Sequence, residues 1–171
     1  MLPSILFVCL GNICRSPLVA AVARQRFARA GLAVEVDSCG TGDWHVGQGA
    51  DKRSIMVAEA AGYTLREHRV RQLQARDYDR FDVILAMDGA NVTVLRERLP
   101  AGHDDRIRLF LDAAAADGRP GPDSSIVPDP YYADDDAFRQ VLALAEQGVD
   151  GLIARLRRGE SLVPASTRAA R

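Results

Sequence analysis

The sequence predicts an α/β fold with three layers: a central four-stranded parallel sheet and helices on both faces. Three observations predict it. Short apolar runs recur at four places along the 171 residues. Segments with helical apolar spacing separate them. Gly, Pro, Ser and Asp punctuate the boundaries between the two kinds of segment. Strands that alternate with helices build a parallel sheet covered on both sides.

The elements follow in order. Ser4–Cys9 (SILFVC) is short, apolar and partly β-branched, so it reads as a buried strand. Gly11 and Asn12 interrupt it. Ser16 suits an N-cap and Pro17 a first helical position. Leu18–Ala30 then reads as a helix, with Gly31 as its stop. Val34–Ser38 reads as the second strand, and Gly40, Gly42, Gly47 and Gly49 make the next stretch a loop. Asp51–Ala61 reads as a helix closed by Gly62. Asp82–Met87 (DVILAM) is the third strand, after which Asp88 caps a helix over Gly89–Leu99 that ends before Pro100. Ile107–Leu111 is the fourth strand. Asp117–Pro130 holds four prolines and two glycines and reads as a long irregular loop, a kind usually functional or disordered. Ala137–Arg157 carries Val141, Leu142, Ala145, Val149, Leu152, Ile153 and Leu156 at helical spacing, with Gly148 and Gly151 weakening the pattern in its middle. Residues 1–157 read as one domain, and 158–171 as a polar, flexible tail.

Composition narrows the function. Hydrophobic residues make up 47% and charged residues 26%, ordinary values for a soluble globular protein. A net charge of -1 gives no whole-chain attraction to nucleic acid or anionic membrane, so any anion must be drawn locally. Lys52 is the single lysine among many arginines and alanines, a bias typical of GC-rich bacterial genomes. The run Ile5–Leu10 is too short to cross a bilayer, so no membrane insertion is expected. Met1–Ser4 has no basic side chain, and no small-residue cleavage site follows, which argues against a signal peptide. Cys9, Cys14 and Cys39 are odd in number, which fits thiols in a reducing cytoplasm better than a disulfide framework.

The chemistry concentrates in Cys9-Leu10-Gly11-Asn12-Ile13-Cys14-Arg15-Ser16. In a parallel α/β sheet, ligands bind at the carboxyl ends of strands near the topological switch point, and this loop follows the first strand. Gly11 and Asn12 tolerate the left-handed backbone that turns N–H groups inward around an anion. The loop runs into a helix N-terminus, which also favours an anion. Arg15 offers a planar fork for two phosphate oxygens. Cys9 faces that positive concavity, which favours a thiolate beside a bound phosphoryl group. Ser16 can donate to the sulfur or cap the helix. A metal site is disfavoured, because Cys9 and Cys14 lie outside the usual ligand spacings and no Cys/His pair completes four ligands.

The run Val8–Pro17 (VCLGNICRSP) closely resembles the signature of the low-molecular-weight protein tyrosine phosphatases. The resemblance extends over most of the chain. It includes Ser38-Cys39-Gly40-Thr41, with Cys39 where the family has alanine, Trp44-His45-Val46-Gly47, His68-Arg69-Val70-Arg71 with Val70 departing, Met87-Asp88 with Asn91, and Pro128-Asp129-Pro130-Tyr131-Tyr132. It implies a flavodoxin-like or Rossmann-like sheet, no cofactor, and hydrolysis of phosphotyrosine through a phosphocysteine on Cys9. Arg15 would bind phosphate, within a loop completed by Leu10, Gly11, Asn12, Ile13, Cys14 and Ser16. Asp129 would be the general acid and base, as a phenolate leaving group requires, held extended by Pro130. Trp44, Tyr131 and Tyr132 would flank the substrate ring. Asn12, Ser38 and His68 would hold the loop in shape. Cys14 would form a reversible disulfide with the nucleophile. The implied partner is a phosphotyrosine-containing protein, such as an autophosphorylated bacterial tyrosine kinase.

Three other functions compete. A phosphoarginine phosphatase of the same fold tends to carry threonine where Ile13 stands, and an apolar Ile13 suits an aromatic ring better. An arsenate reductase needs cysteines in the middle of the chain, and none follows Cys39. A non-catalytic phosphate-binding module would not require both Cys9 and Asp129.

Overall fold

The computed structural model describes residues 1–100, 102, 104–116 and 125–164. Most of the expected 117–130 loop, with Asp123, and the end of the expected tail lie outside these residues. Four strands, β1 (Ile5–Cys9), β2 (Val36–Gly40), β3 (Val83–Ala86) and β4 (Ile107–Leu109), form one parallel sheet in the order β2-β1-β3-β4. Among the described residues six α-helices accompany them: α1 (Arg15–Arg29), α2 (Lys52–Ala60), α3 (Asp77–Arg80), α4 (Gly89–Glu97), α5 (Phe110–Ala114) and α6 (Asp135–Arg157), with a single 3-10 turn at Asp104–Arg106. No helix among the described residues is long and apolar enough to cross a membrane.

The two-residue period of a strand sorts the core into two halves. Ile5, Phe7, Cys9, Val83, Leu85 and Met87 join the cluster that includes Leu18 and Val22 of α1, Phe110 of α5 and Val149 of α6. Leu6, Val8, Cys39, Ile84, Ala86 and Ile107 join the other, with Tyr78, Phe81 and Leu95. Each fully buried large side chain contributes roughly 1.5–3 kcal/mol of apolar transfer. The sheet is therefore covered on both faces, as the alternation predicts.

The first crossover from β1 runs to β2 on one side, and β3 lies on the other. The switch point thus falls at the carboxyl end of β1, where Cys9 sits opposite Gly40.

Four local readings change. Arg15, not Pro17, begins α1, and Ser16 lies inside the helix with no capping role. The fourth strand stops at Leu109, because Phe110 turns inward to meet Phe7 edge to face at 5.5 Å and opens α5. The short α3, absent from the sequence reading, brings Tyr78 into the core. Gly148 and Gly151 do not weaken α6. A Cβ at Gly148 would come within 2.3 Å of the Phe110 ring, and one at Gly151 within 2.3 Å of the Ala114 carbonyl oxygen. These glycines let α5 lie directly on α6.

The chain after α6 also packs. Leu162 is buried, and Val163 rests against the same cluster. Arg155 donates to the Ser161 and Ala113 carbonyls, and Arg108 donates to the Leu162 carbonyl at 2.6 Å. Residues 158–164 are therefore held against the domain, unlike the flexible tail expected from their polarity.

Candidate active site

The loop after β1 is shaped by Asn12. Its backbone is left-handed, at φ 56°, the one positive φ outside glycine among the described residues. Its side chain explains how that conformation is held. Nδ2 donates to Ser16 Oγ at 2.8 Å and to Ser38 Oγ at 3.0 Å, while Oδ1 accepts from the Arg71 N–H at 3.2 Å. The Asn12 carbonyl accepts from His68 Nε2 at 2.8 Å. Burial lowers the His68 pKa and outweighs the opposing pull of that carbonyl, so the ring is neutral with its proton on Nε2. Gly40 is required by close approach: a Cβ there would lie 2.7 Å from the Leu10 carbonyl oxygen.

With the loop so held, Cys9 Sγ accepts from the Asn12 N–H at 3.3 Å and lies 3.0 Å from Ser16 Oγ. Ser16 Oγ accepts from Asn12 Nδ2 and also reaches the Cys39 carbonyl at 3.4 Å. Ser16 therefore stands beside the sulfur and does not cap the helix. No side chain caps α1 at Cys14, which leaves first-turn N–H groups for an anion.

Arg15 is buried, yet it holds its charge. Burial opposes protonation, but Cys9 and the Asp88 carboxylate outweigh it. Nη1 donates to Asp88 Oδ2 at 2.7 Å and to the Val127 carbonyl at 3.1 Å. Nη2 lies 3.6 Å from Asp129 Oδ2. Asp88 also caps α4 in a reciprocal pair with Asn91, as expected, so one carboxylate fixes both a helix start and the guanidinium. The ion pair is the part that sequence reasoning missed. Capping is local, whereas the partner lies 73 positions away.

Asp129 is presented differently. Its side chain is 47% exposed, against 3% for Arg15. The Tyr131 N–H donates to Asp129 Oδ1 at 3.1 Å, a short-range turn that orients the carboxylate. Cys9, Leu10, Gly11, Ile13, Cys14, Arg15, Trp44, His45, Asp129, Tyr131 and Tyr132 line one cavity of about 290 Å³. Trp44 folds back over Gly42, where any Cβ would strike its ring. Tyr131 and Tyr132 meet edge to face at 4.8 Å. The cavity therefore combines a sulfur, a buried cation, a carboxylate and an aromatic rim. Ser38 and His68 stand behind the loop, in contact with Asn12.

Cys14 is a buried free thiol whose pKa is pushed up by burial, then by Asp51 and Cys9. Cys39 is buried on β2, in register with Val8, and burial raises its pKa too. It is a core side chain, and it does not line the cavity.

Known proteins resemble the chain over most of its length. A family model described as low molecular weight phosphotyrosine protein phosphatase matches residues 4–162. A low molecular weight protein-tyrosine-phosphatase of Streptomyces coelicolor is 43% identical over 156 residues, covering 88% of this chain and 92% of the relative. A fission-yeast (Schizosaccharomyces pombe) low molecular weight phosphotyrosine protein phosphatase is 43% identical over 137 residues, 78% of this chain and 84% of its own. Among solved structures, a protein tyrosine phosphatase from Entamoeba histolytica superimposes with a TM-score of 0.83 at 34% identity, over 92% of this chain and 98% of that one. YfkJ from Bacillus subtilis gives the same TM-score, 0.83, and the same 34% identity, over 94% and 98%. On a family match that spans nearly every described element, the chain belongs to the low molecular weight phosphotyrosine protein phosphatases.

Proposed function

We propose that this chain hydrolyses phosphotyrosine in proteins through a phosphocysteine on Cys9. The observation that supports it most is the setting of one sulfur. Cys9 Sγ receives a backbone N–H and stands beside a hydroxyl, in a cavity shared with the Arg15 guanidinium and the Asp129 carboxyl.

The steps follow from that setting. The cavity's N–H groups and Arg15 hold the phosphoryl oxygens and neutralise their charge. The Cys9 thiolate attacks phosphorus, and the bond to the tyrosyl oxygen breaks. Asp129 gives its proton to the departing oxygen. It then takes a proton from water, which attacks phosphorus and releases the thiolate, and Ser16 Oγ donates to the sulfur as its charge returns. Trp44, Tyr131 and Tyr132 sandwich the ring, and Ile13 supplies an apolar wall that suits an aromatic group better than a guanidinium. Cys14 serves as the redox partner of Cys9. The physiological substrate on this reading is a phosphotyrosine protein, such as an autophosphorylated tyrosine kinase, met in the cytoplasm.

Single-turnover and steady-state assays on aryl phosphates test the roles. Cys9→Ser abolishes turnover. Asp129→Asn slows a poor phenolate leaving group by about 100-fold or more and a good one much less. Retained activity in the first variant, or equal slowing in the second, would overturn these assignments. A preference for phosphoarginine over phosphotyrosine peptides would overturn the substrate.

A further inference from the structure

We propose that Arg53, which lies outside the catalytic cavity, is a positioning residue that ties the Asp129 loop to the phosphate-binding loop. The proposal rests on Asp129 being the general acid.

Arg53 stands in the first turn of α2 and reaches in two directions. Toward the phosphate-binding loop it pairs with Asp51: Nε donates to Oδ1 at 3.1 Å and Nη2 to Oδ2 at 3.0 Å. Asp51 is itself fixed to that loop. Its N–H donates to the Ile13 carbonyl at 2.8 Å. Ser54 Oγ adds a bond to the Cys14 carbonyl at 3.2 Å. Toward the acid loop, Arg53 Nη2 donates to the Tyr131 carbonyl at 3.0 Å and Nη1 to the Ala133 carbonyl at 3.3 Å. Its planar face rests 4.3 Å from the centre of the Phe138 ring of α6 and 5.8 Å from that of Tyr131.

The result is a continuous bridge: Ile13 to Asp51, Asp51 to Arg53, Arg53 to Tyr131 and Ala133. Asp129 needs it, because burial does not fix a half-exposed carboxylate. On its N-terminal side the acid loop is anchored through Val127, whose N–H reaches the Met87 carbonyl and whose carbonyl accepts from Arg15. On its C-terminal side Arg53 supplies two bonds to loop carbonyls. The Tyr131 peptide whose N–H orients Asp129 therefore lies between two fixed points. A lysine cannot make this bridge, since one ammonium does not span a carboxylate and two carbonyls in a plane.

The test compares Arg53→Ala, Arg53→Lys, Asp129→Asn and the double variant Arg53→Ala/Asp129→Asn on aryl phosphates with good and poor leaving groups. Positioning predicts that Arg53→Ala lowers kcat/KM, which reports the step that expels the leaving group, about 10-fold for the poor leaving group and about 2-fold for the good one. Arg53→Lys shows the same pattern, reduced. In the Asp129→Asn background, Arg53→Ala lowers kcat/KM less than 2-fold, because the group it positions is already gone. Leaving-group dependence in Asp129→Asn but uniform slowing in both Arg53 variants overturns the positioning role alone. Uniform slowing in Asp129→Asn overturns the acid assignment and this proposal with it. Should Arg53→Ala fold poorly by circular dichroism, the Arg53→Lys pattern decides by the same criterion.

Discussion

Cys14 and Cys9 are both buried and lie five positions apart, yet their surroundings assign them different chemistry. Burial, then Asp51, Cys9 and Asp129, opposes ionisation at Cys14. On the proposed mechanism Cys9 is the nucleophile that peroxide oxidises to a sulfenic acid, and the Cys14 thiol would condense with it, releasing water and forming a disulfide. Peroxide-inactivated enzyme should regain most of its activity on treatment with dithiothreitol, whereas Cys14→Ser should regain little. Equal recovery in the two proteins would remove Cys14 from this role. The sequence showed the thiol and its spacing but not its ionisation, which depends on Asp51, 37 positions on. Asn12 was legible as a turn residue because left-handed backbone is a property of residue type. Its five hydrogen-bond partners were less so, although Ser38 and His68 were named by resemblance. Arg53 carried no signal, since its acid-loop partners lie about 80 positions away.

Among the elements, β1 with its following loop and α1 was legible because each boundary is set by adjacent residues. The α5–α6 contact was not. Glycine in a helix reads as a weak point because it costs about 1 kcal/mol relative to alanine. In α6 that preference is outweighed by contact, since Phe110 is fully buried and already packed on Phe7. Gly148→Ala should therefore destabilise the fold by about 1–3 kcal/mol, as overpacking does, although the helix itself gains. The urea midpoint measures this, and an unchanged or raised midpoint would show that Phe110 yields freely. The fourth strand and α5 were misread for the same reason. Ile107–Leu111 is apolar apart from Arg108, and the position of Phe7 decides where the strand must stop.

Across the whole molecule, the sheet order places the ends of β1, β2 and β3 side by side, so Cys9, Thr41 and Asp88 converge although far apart in sequence. The buried groups at this convergence give global stability a pH dependence. Burial lowers the His68 pKa below its ordinary 6.5, while Arg24 and Arg69 add to the shift and Asp37 and the Asn12 carbonyl oppose it. Between the folded and ordinary values the unfolded chain holds the extra proton. Stability is thus present above pH 6.5 and falls as pH drops through that value toward the lowered one. The urea midpoint should fall between pH 7.5 and pH 5, and His68→Gln, which keeps a donor but not the titration, should show a smaller fall. An identical fall in both proteins would assign the effect to the carboxylates.

What the sequence determined by itself was whatever neighbouring residues impose: four strands, most helices, the anion-binding loop and the cysteine–arginine spacing. Resemblance added Asp129, which residue type alone did not single out. Tertiary structure decided the rest. It buried Arg15 against Asp88, turned Ser16 from a helix cap into a partner of the sulfur, placed Cys39 in the core, docked residues 158–164, and joined the acid loop to α2 through Arg53. These outcomes depend on distances between residues remote in the chain. Such distances are set by how the sheet and helices pack, which no local pattern records.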